Sequence, residues 1–348
     1  MSVDCLKKFY KNKKILITGH TGFKGIWLTS VLSFFKANII GFSLKDEKIK
    51  NFNECVDKKI IKSYFGNIEN HKILQNVIKK STPEIIFHLA AQSLVIDGYE
   101  SPLKTFKTNI LGTLNLLDIC KNVSSVKSII IVTSDKCYKN SSRLKYYEEN
   151  DELGGTDPYS ASKAGAEIIS NCYLKSFFSK KKVGLATVRA GNVIGGGDWS
   201  KNRIIPDCIR SIFKNSPLIL RNPNHIRPWQ HVLDPINGYL LLAMKLYHNK
   251  KNSGPWNFGP NYKEIKSVKS LVKLFFKKTN KKIKITVSKN NNNESYSIKL
   301  NSSKSRKKLL WKSKYNFKNC IDLTYDWYDK FLRYKISIIS DQVKNFYK

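Results

Sequence analysis

Residues 14–25 read Lys14-Ile15-Leu16-Ile17-Thr18-Gly19-His20-Thr21-Gly22-Phe23-Lys24-Gly25. The apolar run at the start has the length of a buried strand, and a helical pattern follows from Ile26 onward. Gly19 and Gly22 permit a tight bend and let backbone N–H groups approach a pyrophosphate, while Gly25 lets the helix pack closely on the strand. Thr21, Phe23 and Lys24 share the turn, and the helix N-terminus adds positive potential for phosphates. Glycine spacing alone is a weak sign; a strand before it and a helix after it make a dinucleotide-binding turn.

Outward from that turn, short β-like runs alternate with helical stretches. Residues 14–18, 39–42, 85–89, 128–133 and 184–189 read as strands, and 25–36, 68–80, 104–120 and 158–179 as helices. Such alternation predicts a parallel sheet with right-handed crossovers, a Rossmann-type doubly wound α/β fold. Continuous apolar strands such as Ser128-Ile129-Ile130-Ile131-Val132 suit a sheet covered on both faces. After Ala190 the rhythm changes, broken by Gly195-Gly196-Gly197 and several prolines. The expected division is a Rossmann domain over 1–189 that re-enters the sheet near 232–262, with a smaller substrate lobe over 190–231 and 263–348. Residues 289–293, rich in asparagine, read as a solvated loop.

A chain of 348 residues can bury a large core. It has no apolar run long enough to span a bilayer, and residues 1–14 carry no apolar signal core. The seven cysteines are scattered without metal-ligand spacing, which suits reduced thiols in the cytoplasm. The formal charge of +36 suggests nucleic acid, but only eight arginines stand against 54 lysines spread along the chain. Sequence-reading surfaces favour arginine forks, so specific nucleic-acid binding is not expected. Weak, salt-sensitive attraction to anions is.

The acid–base groups converge after the fourth of these strands, where Ser134-Asp135-Lys136 closes the apolar run. Asp157-Pro158-Tyr159 then begins a helix well, with Asp as N-cap and Pro in the first turn. Tyr159 and Lys163, four residues apart, share one helix face. Lys163 and the helix N-terminus are expected to favour a phenolate and bring Tyr159 toward a useful base. This is more equipment than a simple alcohol dehydrogenase needs, and points to several proton transfers around a hydride transfer. At the cofactor's other end, the second strand ends Gly41-Phe42-Ser43-Leu44-Lys45-Asp46, so Asp46 comes late for the adenosine ribose. Asn67 is a candidate for the adenine. No arginine pair awaits a 2′-phosphate, which favours NAD over NADP.

His88-Leu89-Ala90-Ala91-Gln92, Thr108-Asn109-Ile110-Leu111-Gly112-Thr113 and the Tyr159/Lys163 pair, with the glycine turn, resemble the extended short-chain dehydrogenase/reductase family. Within it, 18–25 (TGHTGFKG), 133–138 (TSDKCY), 189–199 (RAGNVIGGGDW) and 227–233 (RPWQHVL) are similar to the branch of 4,6-dehydratases acting on CDP-glucose. The resemblance runs over about 10–330. It implies a tightly held NAD and conversion of CDP-glucose to CDP-4-keto-6-deoxyglucose, for deoxysugar and surface-polysaccharide (O-antigen) biosynthesis.

Tyr159 would take the 4-hydroxyl proton with Ser134 on the same oxygen, and Lys163 would hold Tyr159 and the nicotinamide ribose. Asp135 is the candidate acid for the departing 6-hydroxyl. Lys136 stands where related dehydratases carry a glutamate, as C5 base or as electrostatic support for the enolate. Leu89, Ala90 and Ala91 would line the cofactor, with Gln92 by the substrate. Asn192, Arg221 and Arg227 are the candidate nucleotide-sugar contacts, followed by Arg203 and Lys201. Each of the arginines, Arg189 included, can equally be a structural ion-pair partner. Asp198-Trp199 is expected to shape a flexible lid or base pocket, His231 to pack rather than bind metal, and Glu294 and Tyr296 to lie by the sugar. A homodimer or homotetramer is implied. A nucleotide-sugar 4-epimerase, a dehydratase of another nucleotide sugar and a non-catalytic nucleotide-binding protein remain the alternatives.

Overall fold

A computed structural model of the chain describes residues 2–139, 146–279, 283–288 and 298–348. The asparagine-rich stretch at 289–293, with Glu294 and Tyr296, lies outside the described residues. Strands β1 (Lys14–Thr18), β2 (Asn38–Ser43), β3 (Ile61–Phe65), β4 (Ile85–His88), β5 (Ser128–Val132), β6 (Gly184–Ala190) and β7 (Gly254–Phe258) form one seven-stranded sheet. Its order is β7-β6-β5-β4-β1-β2-β3, with every neighbouring pair parallel. Strand order reverses between β1 and β4, and a doubly wound sheet opens a ligand crevice at the carboxyl ends of such strands.

Helices cover both faces because successive strand residues point to opposite sides. From β1, Ile15 and Ile17 enter a core with Trp27, Leu28 and Val31 of α2 (Phe23–Phe34). Leu16 enters the other core with Leu74 and Ile78 of α3 (His71–Ser81) and Leu116 and Leu117 of α4 (Gly112–Cys120). The first core is the larger. It takes in α7 (Leu233–His248), numbered after α5 (Pro158–Tyr173) and α6 (Ile204–Lys214), and the apolar face of α8 (Phe317–Tyr334).

Four features depart from the sequence expectation. A helix, α1, forms at Val3–Tyr10, where the sequence predicts no element; its Leu6 and Tyr10 are buried, and the Tyr10 hydroxyl donates to the Leu240 carbonyl at 2.6 Å. The edge strand β3 escaped notice because only Ile61 is fully buried in it. The single helix expected over 104–120 is Pro102–Phe106, a π-helical turn at Lys107–Leu111, and then α4. That wider turn directs Asn109 inward, and π-turns recur at functional sites. The helix expected over 158–179 likewise finishes in a π-helical turn, at Leu174–Phe178.

Candidate active site

A cavity of about 1660 Å³ opens along the carboxyl ends of the central strands. Its wall includes Gly19, Thr21, Gly22, Phe23, Lys24, Gly25, Asn67, Leu89, Ala90, Ala91 and Gln92 at one end. Ser134, Asp135, Lys136, Tyr159 and Lys163 follow, and then Asn192, Arg203, Arg221 and Arg227. These candidate cofactor, catalytic and substrate residues therefore border the same space.

The glycine turn is shaped for close approach. Gly19 has φ +75°, and a Cβ there would stand 2.7 Å from the Ala90 nitrogen. A Cβ on Gly25 would fall 2.3 Å from the Gly19 carbonyl oxygen. Gly22 caps α2 without a side-chain hydrogen bond, so the first-turn N–H groups remain for a phosphate. Beneath the turn, His20 lies between the Ser43 and Ser63 hydroxyls at 3.0 Å each, and burial lowers its pKa to about 4, keeping it neutral. Ser43, not a carboxylate, ends β2; Asp46 borders the cavity further out. The exposed Asn67 turns its Oδ1 to the Glu69 N–H at 3.0 Å. His88 bridges Thr18 (2.7 Å) and Thr113 (3.2 Å), its pKa lowered to about 3 by burial and then by Lys163.

At the end of β5 the chain makes a short 3₁₀ turn, Asp135–Cys137. Ser134 caps it, its Oγ accepting from the Lys136 N–H at 3.2 Å and donating to Asp135 Oδ1 at 3.1 Å. Asp135 is buried, and desolvation raises its pKa against the pull of Lys136, Ser134, Arg227 and Lys24. Asp157 caps α5, accepting from the Ser160 N–H at 2.9 Å, and this fixes Tyr159 and Lys163 on the face toward the turn.

The expectation that Lys163 lowers the Tyr159 pKa needs correction. Burial pushes the phenol up to about 12, and the groups that oppose it are a hydrogen bond with Ser134 and the charge of Arg203. The Lys163 ammonium instead donates to the Val132 carbonyl at 3.2 Å, and burial brings its pKa down to about 8.

Glu167 completes this face, one turn beyond Lys163, and was not singled out in the sequence. Its carboxylate accepts from Thr133 Oγ1 (2.5 Å), Thr187 Oγ1 (2.6 Å) and both prongs of Arg189 (2.9 and 2.8 Å). Arg189 goes on to Tyr138 OH at 2.7 Å, and Tyr138 to Asn257 at 2.8 Å. Arg189 is thus a structural ion-pair partner. The spacing Tyr159, Lys163, Glu167 was the signal in the sequence, each four residues from the last.

On the far side, Arg203 pairs with Asp198 at 3.0 Å and reaches the Ser93 hydroxyl at 3.1 Å. Arg221 donates to the Asn202 carbonyl at 2.7 Å, and Arg227 to its neighbour's carbonyl at 3.0 Å with His225 Nδ1 at 3.2 Å. Lys201 borders the cavity as an exposed side chain. Gln92 bonds to the backbone of Leu94 at 2.7 and 2.8 Å, while its own backbone meets Asn109, whose amide also reaches Ser162 at 2.8 Å.

Of the two readings of Asp198-Trp199, a flexible lid or a base pocket, the structure departs from the first: both residues border the cavity but are held in place. Trp199 lies against Trp327, Tyr328 and Phe331, and its indole donates to Asn51 at 3.0 Å. His231 is fully buried between Trp27 and Tyr315, a packing position.

A parallel sheet in this order, a glycine turn at the switch point and a Ser/Tyr/Lys face at the end of β5 define a Rossmann-type protein of the extended short-chain dehydrogenase/reductase class. The chain belongs to the GDP-mannose 4,6 dehydratase family, whose model matches residues 16–324. CDP-glucose 4,6-dehydratase of Salmonella typhimurium is 40% identical over 335 residues, covering 94% of this chain and 93% of the relative. Among solved structures, the epimerase Mth375 of Methanothermobacter thermautotrophicus superposes with a TM-score of 0.85 at 19% identity, over 99% of this chain and 97% of the other. The dTDP-glucose 4,6-dehydratase of Bacillus anthracis, in complex with NAD, gives 0.77 at 24%, over 92% and 98%. At those identities the two structures speak for the fold.

Proposed function

We propose that the protein is an NAD-dependent CDP-glucose 4,6-dehydratase, a hydro-lyase forming CDP-4-keto-6-deoxyglucose and water. The observation that carries this reading is one cavity bordered by an acid-bearing Ser134-Asp135-Lys136 turn and by Tyr159 and Lys163. A 4-epimerase or a simple reductase has use for the tyrosine, lysine and serine, but not for a second acid at the strand end.

NAD fits the chain's own geometry, because the cradle at Gly19 and Gly25 leaves no space for side chains and the first-turn N–H groups of α2 lack a cap. Gly19 and Gly22–Gly25 would hold the pyrophosphate, and Lys163 the nicotinamide ribose. When bound, NAD supplies the acceptor for the C4 hydride and the donor that later returns it to C6.

The side chains move the protons. Tyr159 takes the proton from O4, with Ser134 bonded to the phenol oxygen. The resulting 4-ketone acidifies C5–H. Asp135, whose pKa burial raises, is the group that gives a proton to the departing O6 as water leaves. Lys136 either receives the C5 proton or stabilises the enolate beside it while another group or a water takes that proton. Asn192, Arg203, Arg221 and Arg227 are placed along the cavity for the diphosphate and sugar, where guanidinium forks suit phosphate oxygens.

We assign residues 1–189 and 232–262 to the cofactor domain and 190–231 with 263–348 to the substrate lobe. Exposed Leu103 and Ile168, on the helices flanking the site, favour a homodimer or a tetramer built from it. No described helix is long and apolar enough to cross a membrane, and a cytoplasmic role in making deoxysugars for surface polysaccharide, such as O-antigen, accords with the chemistry. Incubation with CDP-, dTDP-, UDP- and GDP-glucose tests the reading. A keto-6-deoxy product from CDP-glucose supports it; a galactose isomer, net cofactor consumption or preference for another nucleotide overturns it.

A further inference from the structure

Lys24 stands in the first turn of α2, at the junction of the glycine cradle and the catalytic groups. Its side chain is half-buried and borders the cavity, and among the described residues its ammonium has no hydrogen-bond or carboxylate partner. It lies 5.9 Å from the centre of the Tyr239 ring on α7, whose buried hydroxyl is also unpartnered among the described residues. The charges that face it come from three other elements: Arg203 before α6, Lys163 on α5 and Asp135 in the turn after β5. The first turn of α2 itself offers no acid. Two cations and one buried carboxyl thus surround a third cation, and its pKa is lowered to about 7, by burial and then by Arg203 and Lys163.

An unpartnered ammonium that faces a cavity is set to meet a ligand. Two parts of NAD are within its reach in principle, the pyrophosphate and the nicotinamide ring. The pyrophosphate is already served by the backbone N–H groups of the same turn. The charges coupled to the Lys24 side chain, Lys163 and Asp135, belong to the catalytic end, where the ring must lie for hydride to pass from C4. The oxidised ring carries a positive charge and the reduced ring carries none. An ammonium beside it, reinforced by Lys163 and Arg203, repels the first and not the second.

We propose that Lys24 sets the redox preference of the cofactor site, weakening the hold on oxidised NAD relative to reduced NAD and so favouring hydride uptake from the sugar. This rests on the NAD-dependent reading above. It also suits an internal redox cycle, since tight retention of the reduced form keeps the hydride in the enzyme until C6 is ready.

Binding of NAD and NADH to the purified protein, without sugar nucleotide, tests it. Affinities are measured at pH 6 and pH 9 for wild type, Lys24→Met and Lys24→Arg. At pH 6 the ratio of the NAD to the NADH dissociation constant is expected to be about tenfold higher in wild type than in Lys24→Met, from one unit charge at close range. In wild type the ratio falls toward that of Lys24→Met at pH 9, because Lys24 loses its proton; Lys24→Arg keeps the high ratio at both. Lys163, whose pKa is lowered to about 8, also titrates in this window, so the comparison with Lys24→Met is the decisive one. An unchanged ratio in Lys24→Met, or equal weakening of both forms as a phosphate contact would give, overturns the proposal. Failure of wild type to bind either form overturns the cofactor reading itself.

Discussion

Glu167 and Arg189 meet across the interface of α5 and β6 as a two-pronged ion pair, at 2.9 and 2.8 Å, with each side chain 3% exposed. The pair ties the helix that carries Tyr159 and Lys163 to the sheet that carries Ser134 and Asp135. Thr133, the residue before Ser134, hangs from the same carboxylate. Removing one partner of such a pair strands the other charge, at a cost of about 3–5 kcal/mol. Glu167→Gln is therefore expected to lower stability by that order in urea unfolding. A Glu167→Met/Arg189→Met double variant should recover much of the loss, because no charge is left buried. A double variant as unstable as the single one would show that the hydrogen bonds, not the stranded charge, carry the effect.

Tyr159 is expected to govern the pH dependence of the first oxidation. Its pKa is raised to about 12 by burial, with Ser134 and Arg203 pulling the other way. The phenolate fraction grows as pH rises, so formation of reduced cofactor in a single turnover should increase through the alkaline range. Arg203→Gln and Ser134→Ala should both move that rise to higher pH, and a rise displaced by one pH unit slows the reaction about tenfold at any fixed pH below it. Tyr159→Phe should abolish it. An unmoved profile in Arg203→Gln would mean that the guanidinium acts on the substrate alone.

Much of this arrangement was legible because it follows local rules. The glycine turn at 18–25, the apolar run of β5 and the Asp157-Pro158 start of α5 each carry a signature within a few residues. What escaped depends on contacts between distant segments. Glu167 looks like a surface residue on a helix until Arg189 and Thr187 are brought to it from β6. Trp199 follows three glycines and reads as mobile, yet α8 supplies the rings that pin it. The phenolate expectation failed for the same reason. Spacing puts Lys163 beside Tyr159, whereas the Val132 carbonyl takes its ammonium and Arg203 arrives from far along the chain.

Asp135 should act in the opposite pH direction from Tyr159. Burial raises its pKa, so it holds a proton at higher pH than an ordinary carboxyl and loses its usefulness as an acid once that proton leaves. Elimination should then fall as pH rises while oxidation increases, giving a bell-shaped overall profile. Asp135→Asn is expected to slow elimination about 10²–10⁴-fold with oxidation largely intact, so that reduced cofactor accumulates. Lys136→Met separates the two roles of that lysine. If it is the C5 base, solvent deuterium stops entering C5; if it supports the enolate, exchange slows but persists.

Asp234 offers a test of stability away from the chemistry. It lies in the first turn of α7, fully buried, and accepts from the Lys314 N–H at 2.6 Å and the Ser313 hydroxyl at 3.3 Å. Burial outweighs these bonds and raises its pKa to about 7. In the unfolded chain the same carboxyl titrates at about 3.9. Between those values the folded protein holds a proton that the unfolded chain has released, so the stabilisation is complete at low pH and is lost as pH rises through about 7. Asn at this position stays neutral and keeps an oxygen for Lys314, so Asp234→Asn should remove this slope. Urea midpoints at pH 5 and pH 8 should therefore show wild type losing stability relative to Asp234→Asn, by roughly 1.4 kcal/mol per pH unit until the folded carboxyl has ionised. A relative gain by wild type at pH 8 would mean that the carboxylate is ionised in the fold and that its backbone donors prevail over burial.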